Sequence, residues 1–240
     1  MRCVSLSKAF DDNLAVDSIS LDIFSRQILA VVGANGSGKT TLMRLVSGSL
    51  SPDSGEFWYR ESRVRFASAA DARARGIRML PQAPELYSSL SVIENVFIGQ
   101  EVVRNFPLLR IMAWKKMHAA TVDLLQQVGA EGIGPKAIAG QLSGGQKQSV
   151  ALARMLVSNG QLLIFDEPCA SLGVSQRARL LDLMRSQCDN GRAVVLISHD
   201  VDDVLAIAHR IVVLRKGRLV SDVARDEVDR YGLSLQMAMV

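Results

Sequence analysis

Cysteine is scarce in this 240-residue chain, and what there is forms no pattern. Cys3, Cys169 and Cys188 are odd in number and unevenly spaced. That argues against a disulfide framework at this size and leaves no pair with metal-ligand spacing. A reducing compartment is the expected setting. No stretch approaches the ~18 uncharged apolar residues that a bilayer-crossing helix needs. The opening residues, MRCVSLSKAFDD, lack the apolar core of a signal peptide. The chain is therefore expected to be soluble by itself, with any membrane role reached through a partner. Internal repeats, low-complexity tracts and the arginine- or aromatic-rich surface of a nucleic-acid binder are also missing. What remains is ordinary: 48% hydrophobic and 22% charged residues supply a core for one large domain. The net charge of +4 decides little, since a phosphate ligand, an anionic membrane or nucleic acid would all suit it.

Short apolar runs at 28–32, 77–80, 162–165, 194–197 and 211–214 predict strands, each too short for a typical helix and most of them β-branched. Helical spacing is found at 40–46, 114–128 and 146–157. Strands alternating with helices predict an α/β fold with a mostly parallel sheet. Residues 3–23 alternate polar and apolar and predict an antiparallel strand pair. The middle, about 86–160, is dominated by helical patterning and is expected to form an inserted helical subdomain. The core would then comprise about 1–85 and 160–240 of a single 1–240 domain.

Two constellations carry chemistry. Gly33, Ala34, Asn35, Gly36, Ser37, Gly38, Lys39 and Thr40 follow a strand, precede a helix and satisfy G-x-x-x-x-G-K-[ST]. Glycines let the backbone wrap phosphates with its N–H groups turned inward, and the helix start adds its positive end. Lys39 offers a point charge to β- and γ-phosphates, and Thr40 a hydroxyl to Mg²⁺. Thr41 extends the predicted nucleotide contacts. The second constellation is the strand 162–165 ending in Asp166 and Glu167. Asp166 suits Mg²⁺, and Glu167 is placed to polarise a water aimed at the γ-phosphate. Alone, such a pair is a solvated strand end; beside the phosphate loop it reads as catalytic.

A phosphate loop belongs to many families, and Leu142-Ser-Gly-Gly-Gln146-Lys-Gln148 narrows them. This stretch resembles the signature of the ATP-binding cassette (ABC) family, and the resemblance covers nearly the whole chain. It implies a P-loop fold, ATP and Mg²⁺ as cofactors, and ATP hydrolysis. By the same resemblance Gln82 is the Q-loop glutamine, touching Mg²⁺ and the attacking water and linking the site to the membrane partner. His199 is the switch histidine that donates to the γ-phosphate. Phe10, 23 residues before Gly33, stacks on adenine. Residues 170–173 match the D-loop. Ser143, Gly144, Gly145 and Gln146 form a second helix-terminal anion site. The family arrangement pairs two cassettes head to tail, each ATP lying between the loop of one and the signature of the other. One set of motifs implies a homodimer or a similar partner cassette.

Residues 68–101 and 170–174 resemble bacterial monosaccharide importers of the ribose, xylose and fructose type. This implies transmembrane permease subunits, indirectly a periplasmic substrate-binding protein, and a place on the inner face of the bacterial membrane. Gly173 departs from the wider family's Asp, and Cys169 from its usual Thr, a change expected to leave hydrolysis intact. Residues 97–114 hold Phe97, Ile98, Phe106, Leu108, Leu109, Ile111 and Trp114, either helical core or a groove for a permease helix. Transport of branched-chain amino acids, nucleosides or lipids, and export, remain alternatives. A soluble ATPase acting on DNA or ribosomes is disfavoured: 103 positions between Lys39 and Ser143 leave no room for a long coiled coil. A non-hydrolysing regulatory subunit is disfavoured by Lys39, Asp166, Glu167 and His199 occurring together.

Overall fold

The computed structural model describes residues 1–106, 109–157, 160–170 and 172–238, without the side chains of 105, 106, 109, 110 and 238. Leu108, Ser171 and the side chains of Phe106 and Leu109 thus lie outside the described residues. The chain divides into two compact units, Met1–Met79, Gly160–Pro168 and Met184–Val240 forming the first, and Leu80–Asn159 with Cys169–Leu183 the second.

The first unit opens with β1 (Arg2–Phe10) and β2 (Asn13–Asp22), the expected antiparallel pair, which continue into β4 (Ser54–Tyr59) and β5 (Ser62–Val64) as a four-stranded sheet ordered β2-β1-β4-β5. A six-stranded sheet carries the site. It is built from β3 (Ile28–Val32), β6 (Ile77–Leu80), β9 (Leu162–Asp166), β10 (Ala193–Ile197), β11 (Arg210–Arg215) and β12 (Arg218–Ala224). Their order is β12-β11-β3-β10-β9-β6, with β3, β9, β10 and β11 joined in parallel and only β12 shown antiparallel, on β11.

Every residue of β3, β9 and β10 is buried, as strands covered on both faces must be. Alternation then splits β3 between two cores. Leu29 and Val31 join Leu42, Leu45 and Ile164, while Ala30 and Val32 join Val204, Ile211 and Leu233. The helices α1 (Lys39–Val46), α2 (Ala69–Ala74), α7 (Val201–Ile207) and α8 (Arg230–Ala238) complete this unit, with α7 started by Asp200, whose carboxylate accepts from the N–H groups of Asp202 and Asp203.

The second unit is largely helical, with α3 (Val92–Phe97), α4 (Trp114–Gln127) and α5 (Gly144–Leu156) closing on Val92, Val96, Phe97, Met117, Leu125 and Val150. The helix α6 (Val174–Asp189) begins here. Within the stretch read as helical, β7 (Val103–Phe106) and β8 (Leu109–Met112) instead pair as an antiparallel hairpin. Pro107 bars a helix through this stretch, and the flanking residues fit a ladder. Phe97 belongs to the helical core, whereas Ile111 and Trp114 are about half exposed, at 49% and 46%. Among the described residues no helix is long and apolar enough to cross a membrane.

Candidate functional site

The loop Gly33–Gly38 leaves the end of β3 and delivers Lys39 as the first residue of α1. Two glycines are required by geometry. Gly33 holds φ 143°, and a Cβ there would sit 2.2 Å from the Leu214 carbonyl oxygen. Gly38, the left-handed N-cap of α1 at φ 101°, would bring a Cβ to 2.3 Å from the Ala15 carbonyl oxygen. The loop is thus walled by β11 on one side and by β2 on the other. Ser37 N–H donates to the Ala34 carbonyl at 3.1 Å, tightening the turn. Lys39 Nζ donates to the carbonyls of Gly33 and Ala34 at 2.8 and 2.9 Å. Burial holds its ammonium below the ordinary lysine range, against the opposing pull of Glu167 and Asp166.

The next sheet position but one supplies the carboxylates, since β10 lies between β3 and β9. Asp166 is buried at the end of β9, and Thr40 Oγ1 donates to its Oδ1 at 3.2 Å. Burial pushes the Asp166 carboxyl above the usual carboxylate range; the Thr40 hydrogen bond opposes this, Glu167 adds to it, and Arg44 and Lys39 oppose it. Glu167 occupies the left-handed region at φ 48°, while its N–H still bonds the Ile197 carbonyl at 3.0 Å. A non-glycine residue held there stores of the order of 1–3 kcal/mol, a backbone that seven other non-glycine residues among those described also adopt. It turns Oε2 to within 2.7 Å of His199 Nδ1, just beyond β10. With Nδ1–H donated to that carboxylate, Nε2 of a neutral ring can only accept. His199 can therefore hold Glu167 and donate to a phosphate together only as imidazolium.

Phe10 ends β1 at the hairpin turn, 47% exposed, with Lys8 Nζ 5.8 Å from its ring centre. Of the residues read from sequence, the first unit holds Phe10, the loop through Thr41, Asp166, Glu167 and His199, and it brings Lys39, Thr40 and Asp166 together. Gln82 and Ser143–Gln146 belong to the second unit, where Gln82 is exposed in the coil after β6. Ser143 caps α5 in a reciprocal box with Gln146: the Ser143 N–H donates to Oε1 at 2.9 Å, and the Gln146 N–H to Ser143 Oγ at 3.3 Å. The walls of the loop, Ala15 and Leu214, escaped sequence reading, because their contribution is a backbone carbonyl and leaves no residue signal.

Three observations test whether a Mg²⁺–nucleotide fits. The Ser37 hydroxyl is buried without a hydrogen-bond partner inside the loop. The cradle has no room for a side chain at Gly33 or Gly38. Thr40 and Asp166 present two oxygens side by side. Among the described residues no group of three or more His, Cys, Asp or Glu could cage a metal ion. Mg²⁺ asks for no such cage, being held by one or two carboxylates with water and phosphate oxygens. The residues present fit.

The family described as ABC transporter matches residues 16–170. The chain belongs to the ABC transporter family. Two relatives carry the name ribose import ATP-binding protein RbsA. One, from Caldanaerobacter subterraneus, is 33% identical over 237 residues, covering 99% of this chain and 47% of that protein. The other, from Chromobacterium violaceum, is 37% identical over 226 residues, covering 93% and 44%. The chain thus spans about half the length of the curated relatives it matches. Among solved ABC structures, the dimeric cassette MJ0796 superimposes with TM-score 0.83 at 22% identity, covering 93% of this chain and 98% of that one. The cbiO1 protein of Clostridium perfringens, part of the transporter complex cbiONQ, gives 0.77 at 26%, covering 98% and 91%. The α/β P-loop fold expected from the sequence is the fold of these cassettes.

The raised carboxyl of this ABC cassette carries a stability consequence. A carboxylate whose folded pKa is raised costs stability once ionised, and the cost shrinks as pH falls from the folded value to the lower unfolded one. Asp166→Asn keeps the acceptor for Thr40 and removes the buried charge. Its Tm at pH 7 is expected to exceed wild type, each kcal/mol recovered being worth roughly 2–4 °C at this length, with the difference shrinking in acid. Calorimetry across pH decides it; an Asn variant that melts lower at pH 7 refutes the argument.

Proposed function

We propose that this chain binds ATP with Mg²⁺ between the Gly33–Thr41 loop and Asp166 and hydrolyses it, as the motor of a transporter. The observation that carries the reading is the assembly of Lys39, Thr40 and Asp166 around a glycine loop, with a strained Glu167 fastened to His199 beside it. Bound Mg²⁺ would supply charge neutralisation at the phosphates, held by Thr40 and Asp166. Lys39 exchanges two loop carbonyls for phosphate oxygens, and the Ser37 hydroxyl gains the partner it lacks. Glu167 accepts a proton from the attacking water while His199 fixes its carboxylate. Phe10 offers its exposed face to the adenine.

The signature supports a second cassette as partner. Gly144 and Gly145 hold no left-handed φ and would meet nothing within 4 Å if given a Cβ. Among the described residues nothing nearby requires them to be glycine, which supports an outside group, such as a phosphate on a second cassette's loop, approaching their backbone. The names of the relatives support import of ribose or a similar monosaccharide; in that role the chain would work with permease subunits and, indirectly, a periplasmic substrate-binding protein, on the inner membrane face. The half-exposed Ile111 and Trp114 suit contact with a permease. The test is titration calorimetry and phosphate release with ATP and Mg²⁺. Wild type is expected to bind and turn over ATP, and Lys39→Ala to lose binding by at least tenfold. No binding by wild type at millimolar ATP sinks the reading.

A further inference from the structure

The stretch between Gln82 and α3 is fastened to the second unit by more bonds than a surface loop requires. Asn95, on α3, is fully buried, and its carboxamide faces the backbone of that stretch. Oδ1 accepts from Tyr87 N–H at 2.8 Å, and Nδ2 donates to the carbonyls of Tyr87 and Ser91 at 3.0 Å, with the Leu90 carbonyl at 3.4 Å. One side chain thus satisfies both backbone groups of Tyr87, as a neighbouring strand would. The same stretch bonds to the lead-in of the signature. Gly140 N–H donates to the Ser88 carbonyl at 2.9 Å, Ala139 N–H to Leu90 at 3.0 Å, and Val92 N–H to Ala137 at 2.9 Å. Position 140 admits no side chain, because a Cβ would lie 2.9 Å from the Ser88 oxygen. In the last turn of α5, Arg154 Nη2 donates to the Glu85 carbonyl at 2.7 Å.

Residues 85–92 therefore form a strap tied to both ends of the signature helix: to 137–140 before Ser143, and to Arg154 near its C-terminus. A buried carboxamide is costly unless its geometry is met in full, so the pin at Asn95 admits one arrangement of the strap. We infer that Asn95 and Arg154 are positioning residues, which through this strap hold the Ser143–Gly145 turn where the nucleotide of the proposed reaction needs it. The inference rests on the reading of that turn as a nucleotide contact. Neither residue touches nucleotide; each acts through the strap. Tyr87, pinned by its backbone, keeps its side chain 58% exposed, so whatever contacts it acts on the same rigid piece.

Asn95→Asp is the sharpest test, since it keeps shape but turns a carboxylate on three carbonyls. Arg154→Ala leaves the buried pin alone and serves should Asn95→Asp fail to fold. Amide hydrogen exchange is measured first, which requires no ATPase activity. The strap amides and those near the start of α5, Gln146 to Ser149, are expected to exchange at least tenfold faster, with the amides of α1 unchanged. Faster exchange confined to the strap overturns the inference. So does a uniform rise across both units, which marks a merely structural role. The second readout is a split: kcat for ATP falls at least tenfold in either variant while the ATP Kd stays within twofold. Unchanged kcat, or an equal fall in affinity, also overturns it. A wild-type protein that does not turn over ATP strikes the proposed function and leaves the exchange test of the strap standing.

Discussion

Glu167→Gln is expected to cut ATP turnover by about 10²–10⁴-fold, the span that a positioned general base contributes, while ATP still binds. The side chain is placed by three restraints that Gln can keep: the left-handed backbone at φ 48°, the N–H bond to Ile197, and the 2.7 Å contact with His199 Nδ1. Gln accepts that hydrogen bond through its amide oxygen but cannot take a proton from water. Binding, which relies on Lys39 and the glycine loop, is untouched. Binding without turnover traps whatever assembly ATP builds. Light scattering of this variant with ATP and Mg²⁺ is expected to report a dimer that falls apart without nucleotide and never forms when Lys39→Ala is added. A monomer that binds ATP normally would mean that a different cassette or a membrane subunit completes the site. Turnover within tenfold of wild type would remove Glu167 from the reaction.

Gly38→Ala is expected to abolish nucleotide binding and to lower stability together. The left-handed φ of 101° costs an alanine about 1–3 kcal/mol. Its Cβ would also overlap the Ala15 carbonyl oxygen at 2.3 Å, a backbone atom that cannot swing aside as a flexible side chain can. Gly33→Ala meets the Leu214 carbonyl at 2.2 Å and is expected to behave alike. Gly36→Ala is the control: φ is 78° but nothing lies within 4 Å, so only the backbone cost applies. The expected ranking in both Tm and ATP affinity is therefore a severe loss at 33 and 38 and a mild one at 36. Equal effects at all three positions would mean that the walls do not shape the loop.

Much of this was legible along the chain, and the exceptions are instructive. Strand ends at Val32 and Ile197 were readable because a fully buried parallel strand is a short apolar run bounded by polar residues. The hairpin β7–β8 escapes the sequence reading because helical spacing at 114–128 and 146–157 invites one helical reading of the whole middle stretch. The signal against that was Pro107. The sequence assigns about 160–240 to the core in one piece, whereas Cys169–Leu183 clusters with the second unit, a matter of long-range contact that no local pattern records.

Local spacing suffices for the chemistry offered: a phosphate-loop lysine, an Asp-Glu pair after a buried strand, a histidine after another, and a serine-glycine helix start. Those follow from residue type and separation of a few positions, where sterics and hydrogen bonding act over one turn or one strand. What tertiary structure alone decides is how these groups face one another. Asp166 meets Thr40 across 126 positions of chain, Glu167 meets His199 across 32, and the loop takes its shape from carbonyls on β2 and β11. The strap belongs with these, since Arg154 reaches Glu85 across 69 positions. The loop walls and the strap use backbone atoms that every residue carries, and the side-chain pairs meet through a sheet order that no single segment encodes, so only the packed chain could fix them.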